Sequence, residues 1–500
     1  MLLRSCALLF LICTLASSQN QAVTGTVVST VDSVPIANAT VTLFGNGANQ
    51  TVLTDQSGAF SFSSIPPGSY SLSTQHHAYF YPGGGVQIVA AQKPLEPIRL
   101  RMTPYVKLTG KVTDENGYPF PNVGIAAIQR IVSDGKASLA VVGSASTDDS
   151  GEFAVSQLRG GSYLVCVNAT ASSYQRHHRL AYQTTCFPNT TDLSSAASLT
   201  LGVDAEQSLS LHLSPVTGVR LRGSLENASK GVGLSIVRSD PRGFPHSQSI
   251  PVSFDEKTAT FEVLSLPPGD YFLNAFANGP AGQKRATRII HAGTEDINDV
   301  RLVLEQPMPL SVTVHRGAAV PNAVGFSLGV DQTVIVYAFA SAAFSLPSVS
   351  PGDHAVQVIC PPGWIVQSIL QGGLEVRDEK ISIPETGPPE PIEITLRQGG
   401  GMIQVVVPKG SAAITLLKRS TNGGDWRQEG QTVNVNNPRE SSTQLSNLRP
   451  GEYSLFVWES PNEIEYLNPD VLTKYQSLGQ TVTVREGETT RVSAKIIPAH

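Results

Sequence analysis

Apolar and polar residues alternate in short runs along most of the chain. Residues 23–28, 106–112, 219–225, 310–314 and 402–407 read as opening strands, and 98–102, 209–213, 300–304, 392–396 and 492–496 as closing ones. A period of two with a turn every eight to twelve residues predicts half-buried strands of packed sheets. Gly 44 and Pro 34 punctuate these runs, so long helices are disfavoured and the expected fold is all-β.

The runs repeat as a set. Thr54-Asp55-Gln56-Ser57-Gly58-Ala59-Phe60 recurs as Thr147-Asp148-Asp149-Ser150-Gly151-Glu152-Phe153. Pro66-Pro67-Gly68-Ser69-Tyr70 returns as Arg159-Gly160-Gly161-Ser162-Tyr163, Pro267-Pro268-Gly269-Asp270-Tyr271, Pro351-Gly352-Asp353-His354 and Arg449-Pro450-Gly451-Glu452-Tyr453. Upstream, Pro35-Ile36-Ala37-Asn38-Ala39-Thr40-Val41 matches Pro119-Phe120-Pro121-Asn122-Val123-Gly124-Ile125, and the second copy carries an insertion around 132–138, expected in a surface loop. These marks predict a tandem array of five Greek-key β-sandwich domains at 21–103, 104–216, 217–307, 308–398 and 399–500. In each Pro-Gly corner the glycine is expected at positive φ in a type II turn, with the following tyrosine opening a strand, ring inward and hydroxyl at the rim. Asp55 is expected to close an Asx-type turn ahead of Phe60.

The combination TDxxGxFxF, then PPGxYxL, after PxxNAxVxL resembles the carboxypeptidase regulatory-like domain, a sandwich related to transthyretin and grouped with starch-binding-like folds. The resemblance is close in the first two units, weaker in the third and degenerate in the last two, where TDxxGxF is missing. It implies an accessory or scaffolding role in an exported bacterial protein, and no peptidase activity, because that family's zinc domain is separate.

Charge excludes one class of partner. A formal net charge of −5 supplies no basic stripe to neutralise phosphates, so nucleic acid is not expected. Residues 1–18, MLLRSCALLFLICTLASS, place one arginine before an apolar run of about ten residues and small residues after it, the layout of a secretory signal. No later segment is apolar and long enough to span a bilayer, so a secreted, periplasmic or cell-surface protein is expected. Outside that leader stand Cys166, Cys186 and Cys360, of which the first two are a candidate disulfide; three buried thiols are the alternative.

Candidate chemistry is sparse, with no cofactor and no catalytic or metal site expected. His76-His77 and His177-His178 would point to opposite faces if they lay on strands, so neither pair alone can chelate a metal. The aromatic candidates are stronger: Tyr79 and Tyr81, and Trp426 beside Gly423-Gly424-Asp425, could stack on a sugar face, whereas Trp458 lies in an alternating run and reads as core. The expected function is a non-catalytic structural spacer or adhesion module at the cell envelope, with an envelope protein or glycan as partner. The alternative is a carbohydrate-binding protein of the starch-binding-like fold.

Overall fold

The protein is described by a computed structural model that covers residues 21–45, 48–82, 86–90, 95–168, 180–203, 206–228, 231–238, 250–279, 282–306, 309–315, 324–330, 333–339, 343–346, 349, 352–361, 363–376, 380–384, 387–408, 410–419, 426–428, 432–437 and 441–498. The leader, His177-His178 and Asp425 lie outside these residues. The described chain is nearly all strand, in sheets of two to five strands. Its contacts group it into two compact units: 1–128 with 142–167 and 185–213, and 129–141 with 168–184 and 214–500.

The first unit opens with two four-stranded sheets. One runs in the order Ala59–Ile65, Gln21–Ser29, Ile98–Pro104, Tyr79–Phe80, and the other Ala48–Leu53, Thr40–Gly45, Gly68–Gln75, Val86–Ala90. Between them the inward residues Val23, Val27, Val41, Leu43, Phe62, Tyr70 and Leu100 form one core. The alternation of apolar residues thus marks the inner faces, as a pleated strand requires. The second repeat follows the same scheme, with Val106–Thr113 between Glu152–Leu158 and Glu206–His212. Its insertion is no detached loop: it lengthens a hairpin of Gly124–Ser133 and Lys136–Ser146, turned at Asp134 and Gly135 with φ of 48° and 72°.

One pairing recurs throughout both units. The opening strand of each repeat lies parallel to the closing strand, as Gln21–Ser29 with Ile98–Pro104, Val106–Thr113 with Glu206–His212, Val219–Glu226 with Ile297–Val303, Leu310–His315 with Ile392–Gln398, and Gly401–Val407 with Thr489–Ser493. In the first three, the opening strand carries a glycine at its middle, directly across from a phenylalanine: Gly25 and Phe60, Gly110 and Phe153, Gly223 and Phe261. A Cβ on these glycines would lie 2.1, 2.4 and 2.1 Å from the carbonyl oxygens of Ile98, Leu209 and Val300. It would also lie 2.5, 2.5 and 2.3 Å from the phenylalanine rings. The ring therefore fills the space a side chain would take, and the strand backbones can close up beneath it.

The repeated polar residues tie neighbouring segments together. Buried Thr54 Oγ1 donates to the Ile36 carbonyl at 2.7 Å and accepts from Ala39 N–H at 2.8 Å; Thr147 repeats this with Phe120 at 2.8 Å and Val123 at 3.0 Å. Asn38 and Asn122 both sit at φ 58°, the left-handed conformation that asparagine tolerates. Asp55 Oδ1 accepts from the Ser57 amide at 2.8 Å, the Ser57 hydroxyl at 2.7 Å and the Ala59 amide at 2.9 Å, and Asp148 does the same with Ser150 and Glu152. The PxxNAxV and TDxxGxF motifs are thus two halves of one hydrogen-bonded corner.

The tyrosine corner forms four times. Tyr70, Tyr271 and Tyr453 are buried and donate to the carbonyls of Pro66, Pro267 and Arg449 at 3.0, 2.7 and 2.6 Å, and Tyr163 donates to that of Arg159. Burial pushes the Tyr271 hydroxyl up to about 12, so it keeps the proton it donates. The expected type II turn is not what the corner uses. The corner glycines Gly161, Gly269 and Gly451 do have positive φ, at 157°, 151° and 155°, but not the value of a type II turn. Four residues before Gly68, Gly161 and Gly451 stand Ser64, Gln157 and Asn447, left-handed at φ of 60°, 60° and 61°, each within a bulge of the preceding strand marked by the register shifts at 21/23, 155/158 and 401/403.

Cys166 and Cys186 are buried cross-strand partners joined by a disulfide. With twenty residues between them, closing that loop contributes about 3 kcal/mol in the chain-entropy account. Cys360 is a half-buried thiol whose pKa burial raises to about 11. His354, standing where the other corners have tyrosine, is buried. The all-β expectation omits one short helix, Pro469–Tyr475, capped by Asn468, whose Oδ1 accepts from Asp470 N–H at 3.1 Å.

Two outcomes follow from the corner. Gly58 and Gly151 sit at φ 72° and 76°, and their carbonyls accept from Val27 and Val112 at 2.8 Å; in the third repeat Ala259, at φ 53°, accepts from Leu225 at 2.8 Å and occupies the same place. An alanine there carries the left-handed penalty, so Ala259→Gly is expected to stabilise the protein by about 1 kcal/mol in denaturant titration; a loss of stability would contradict this assignment. Asp148 has its carboxyl held below the ordinary 3.8 by the Ser150 hydroxyl and then the Glu152 amide, and Asp55 is held down in the same way by Ser57 and Ala59. A carboxyl with a depressed folded pKa adds stability above its unfolded pKa and forfeits it as pH falls through the folded one. Unfolding midpoints measured from about pH 5 to pH 2 should therefore fall less steeply for the D55N/D148N variant than for the wild type.

Candidate functional site

The chain turns immediately after Gly68–Gln75, and that turn builds the most chemically varied surface of the first unit. Tyr79–Phe80 returns to pair with Ile98–Pro104, bringing Tyr79 opposite Pro104 and Phe80 opposite Thr103. Tyr105 N–H then donates to the Ala78 carbonyl at 2.9 Å, which fixes the aromatic start of the second repeat against the end of the first. Phe80 and Tyr105 lie with ring centroids 5.4 Å apart, and the Arg159 guanidinium sits 4.8 Å above the Phe80 ring. The result is an open cleft of about 850 Å³, to which Tyr79, Phe80, Tyr81, Tyr105, His76 and Arg159 all contribute. Thr40 and Ser73 also line it.

The histidine pair departs from expectation. His76 and His77 leave the strand at a turn rather than continuing along it, so their rings lie on the same side with centroids 4.3 Å apart. The His76 ring also lies 5.3 Å from that of Tyr79. Ala78 N–H donates to His76 Nδ1 at 3.2 Å, which makes Nδ1 an acceptor and leaves the neutral ring's proton on Nε2. Burial, and secondarily the charge of His77, lowers the His76 pKa. Among the described residues no three His, Cys, Asp or Glu side chains gather in a metal-binding group.

Both tyrosines singled out from the sequence line this cleft. Each is half-buried, one side packed on the core, so the rings are held rather than free. Burial raises the Tyr81 pKa, so its phenol stays protonated. Trp426 does not join them. It lies in the short strand Trp426–Gln428 and packs half-buried against the cluster of Phe456, Trp458, Tyr466 and Leu472 in the second unit. Trp458 is fully buried, stacks on Phe456 and Tyr466 at 5.0 and 5.8 Å, and donates to Thr415 Oγ1 at 2.7 Å. The glycine-flanked position of Trp426 in sequence suggested exposure, but the cluster it covers is assembled from strands and the helix far along the chain.

Tyr105 and Arg159 are cleft residues that the sequence reading passed over. Arg159 stands where the first and third repeats have Pro66 and Pro267 and the fifth has Arg449, so the repeat pattern alone does not single it out.

Residues 22–96 match the carboxypeptidase regulatory-like domain. A search of curated proteins returns no match. Among solved structures, the shaft pilin SpaA of Lactobacillus rhamnosus GG is similar over 40% of this chain and 98% of its own, at 10% identity and a TM-score of 0.23. BcpA, the major pilin subunit of Bacillus cereus, is similar over 57% and 99% at 12% identity and a TM-score of 0.18. The Bacillus anthracis TIE protein is similar over 75% and 69% at 13% identity and a TM-score of 0.16. No helix among the described residues is long and apolar enough to cross a membrane.

Trp426→Ala is expected to destabilise the protein by about 2 kcal/mol in denaturant titration, because it uncovers part of a buried cluster; an unchanged unfolding midpoint would contradict that packing role.

Proposed function

We propose that this chain is an exported, non-catalytic string of five β-sandwich domains that serves as a spacer and interaction module at the cell envelope. The observation that carries the reading is the occupation of the repeated residues. Thr54, Asp55, Gly58, Phe60 and Tyr70, with their counterparts in the second repeat, each make a hydrogen bond or a packing contact that shapes the corner or the core. What repeats is the means of building a sandwich, and a reaction centre has no share in it. Low charge and turn-rich strands suit a chain that works outside the cytoplasm, and the disulfide between Cys166 and Cys186 suits an oxidising compartment.

Expression of the full chain in a bacterium, followed by fractionation and amino-terminal sequencing, tests this. The expected result is protein recovered outside the cytoplasm with residues 1–18 removed. Cytoplasmic protein with the leader intact, or hydrolysis of ester, peptide or glycoside substrates by the purified chain, would overturn it.

The alternative reading, carbohydrate binding, is favoured by the cleft alone. Rings held on a rigid sheet beside hydroxyls offer a sugar both a stacking face and hydrogen-bond partners. Glycan binding that disappears in Tyr81→Ala while the thermal midpoint is retained would support it; binding unaffected by that substitution would count against the cleft.

A further inference from the structure

We propose that the cleft of the first unit takes a sugar carrying an anionic group, a carboxylate or sulfate, with Arg159 as the residue that selects it. This rests on the carbohydrate reading of the cleft and names the class of sugar within it.

Charge distribution is the first reason. The whole chain carries a formal net charge of −5, yet no aspartate or glutamate is among the residues lining the cleft. The one permanently charged side chain there is Arg159. Arg159 has no ion pair among the described residues, and its guanidinium lies instead over the Phe80 ring at 4.8 Å.

Geometry is the second reason. The Arg159 guanidinium carbon lies 4.8 Å from the Phe80 ring centroid, which places a permanent positive charge among the residues lining the cleft. A guanidinium there can meet a planar carboxylate or a sulfate with two parallel hydrogen bonds. Part of the ordering cost is met before the ligand arrives. The aromatic rings of Tyr79, Tyr81 and Tyr105 lie in the same cleft, so a sugar face and its acidic substituent can be engaged together. His76 Nε2, carrying the proton of the neutral ring, adds a neutral donor for a hydroxyl or for the anion itself.

The position of Arg159 in the repeat is the third. Its backbone carbonyl accepts from the Tyr163 hydroxyl, the same corner bond that the carbonyls of Pro66, Pro267 and Arg449 provide. The fold requires only that carbonyl, so the side chain is free for another role. It also makes the test clean: Arg159→Gln removes the charge and leaves the corner bond in place.

Isothermal titration of the full chain would compare a neutral oligosaccharide with an oligogalacturonate and a sulfated oligosaccharide of the same length. The expected result is at least about tenfold tighter binding of one or both acidic sugars, reduced to the neutral level by R159Q with the neutral sugar's affinity and the thermal midpoint unchanged. Equal binding of neutral and acidic sugars, or a preference that survives R159Q, would overturn the role of Arg159 while leaving the carbohydrate reading intact. Absence of binding to all three would overturn both. Equal competition by a poly-glutamate peptide of matched charge would also overturn the proposal, because the site would then read charge and no sugar.

Discussion

Each repeat is held by the place where its opening strand meets its closing one. A strand with a parallel neighbour on one side and an antiparallel neighbour on the other has both edges satisfied, and the sandwich is closed by residues about seventy to a hundred positions apart. In the first three repeats the closure depends on a missing side chain. Gly25, Gly110 and Gly223 let the closing strand's carbonyl approach where a Cβ would collide, and Phe60, Phe153 and Phe261 roof the gap. The Asx turn and the buried threonine sit at the end of the same phenylalanine strand, and the tyrosine corner at its other end, so the repeated residues surround one crossing.

Sequence and structure meet most closely at these crossings. Alternation, TDxxGxF and the Pro-Gly-Tyr corner placed the strands of the first two repeats well, because each element is local: the aspartate bonds within four residues, and the tyrosine donates four residues back. The positive φ expected of the corner glycine is found at Gly161, Gly269 and Gly451, but not the type II turn, and the bulge just before the corner is a property of the pairing, invisible along one strand. In the third repeat the TDxxGxF turn survives as Asp255 to Phe261 with alanine in place of glycine and one residue more, so a pattern fixed on glycine overlooked it. The helix at Pro469–Tyr475 was announced by Asn468-Pro469-Asp470 and missed because the rest of the chain argued for strands.

The cleft was legible only in part. Tyr79 and Tyr81 stood out as aromatics next to a turn, but their partners come from a different repeat, and no periodicity connects Tyr105 or Arg159 to them. Trp426 lies apart from that cleft: its neighbours in sequence are small and polar, while its neighbours in space are Phe456, Trp458 and Tyr466. Burial of a single ring is decided by tertiary packing, which local composition cannot report.

The scaffold also explains why chemistry gathers on one turn. Its repeated side chains are spent on the corner and the core, which leaves function to residues where repeats differ, such as arginine in place of proline. The central claim, that each repeat is closed by its first and last strands acting as one cooperative element, is tested most directly by native-state hydrogen exchange read by mass spectrometry. The account predicts that amides of Val106–Thr113 and Glu206–His212 exchange together, at the highest opening free energy of their repeat. Early exchange of Glu206–His212, with the rest of the second repeat still protected, would contradict it.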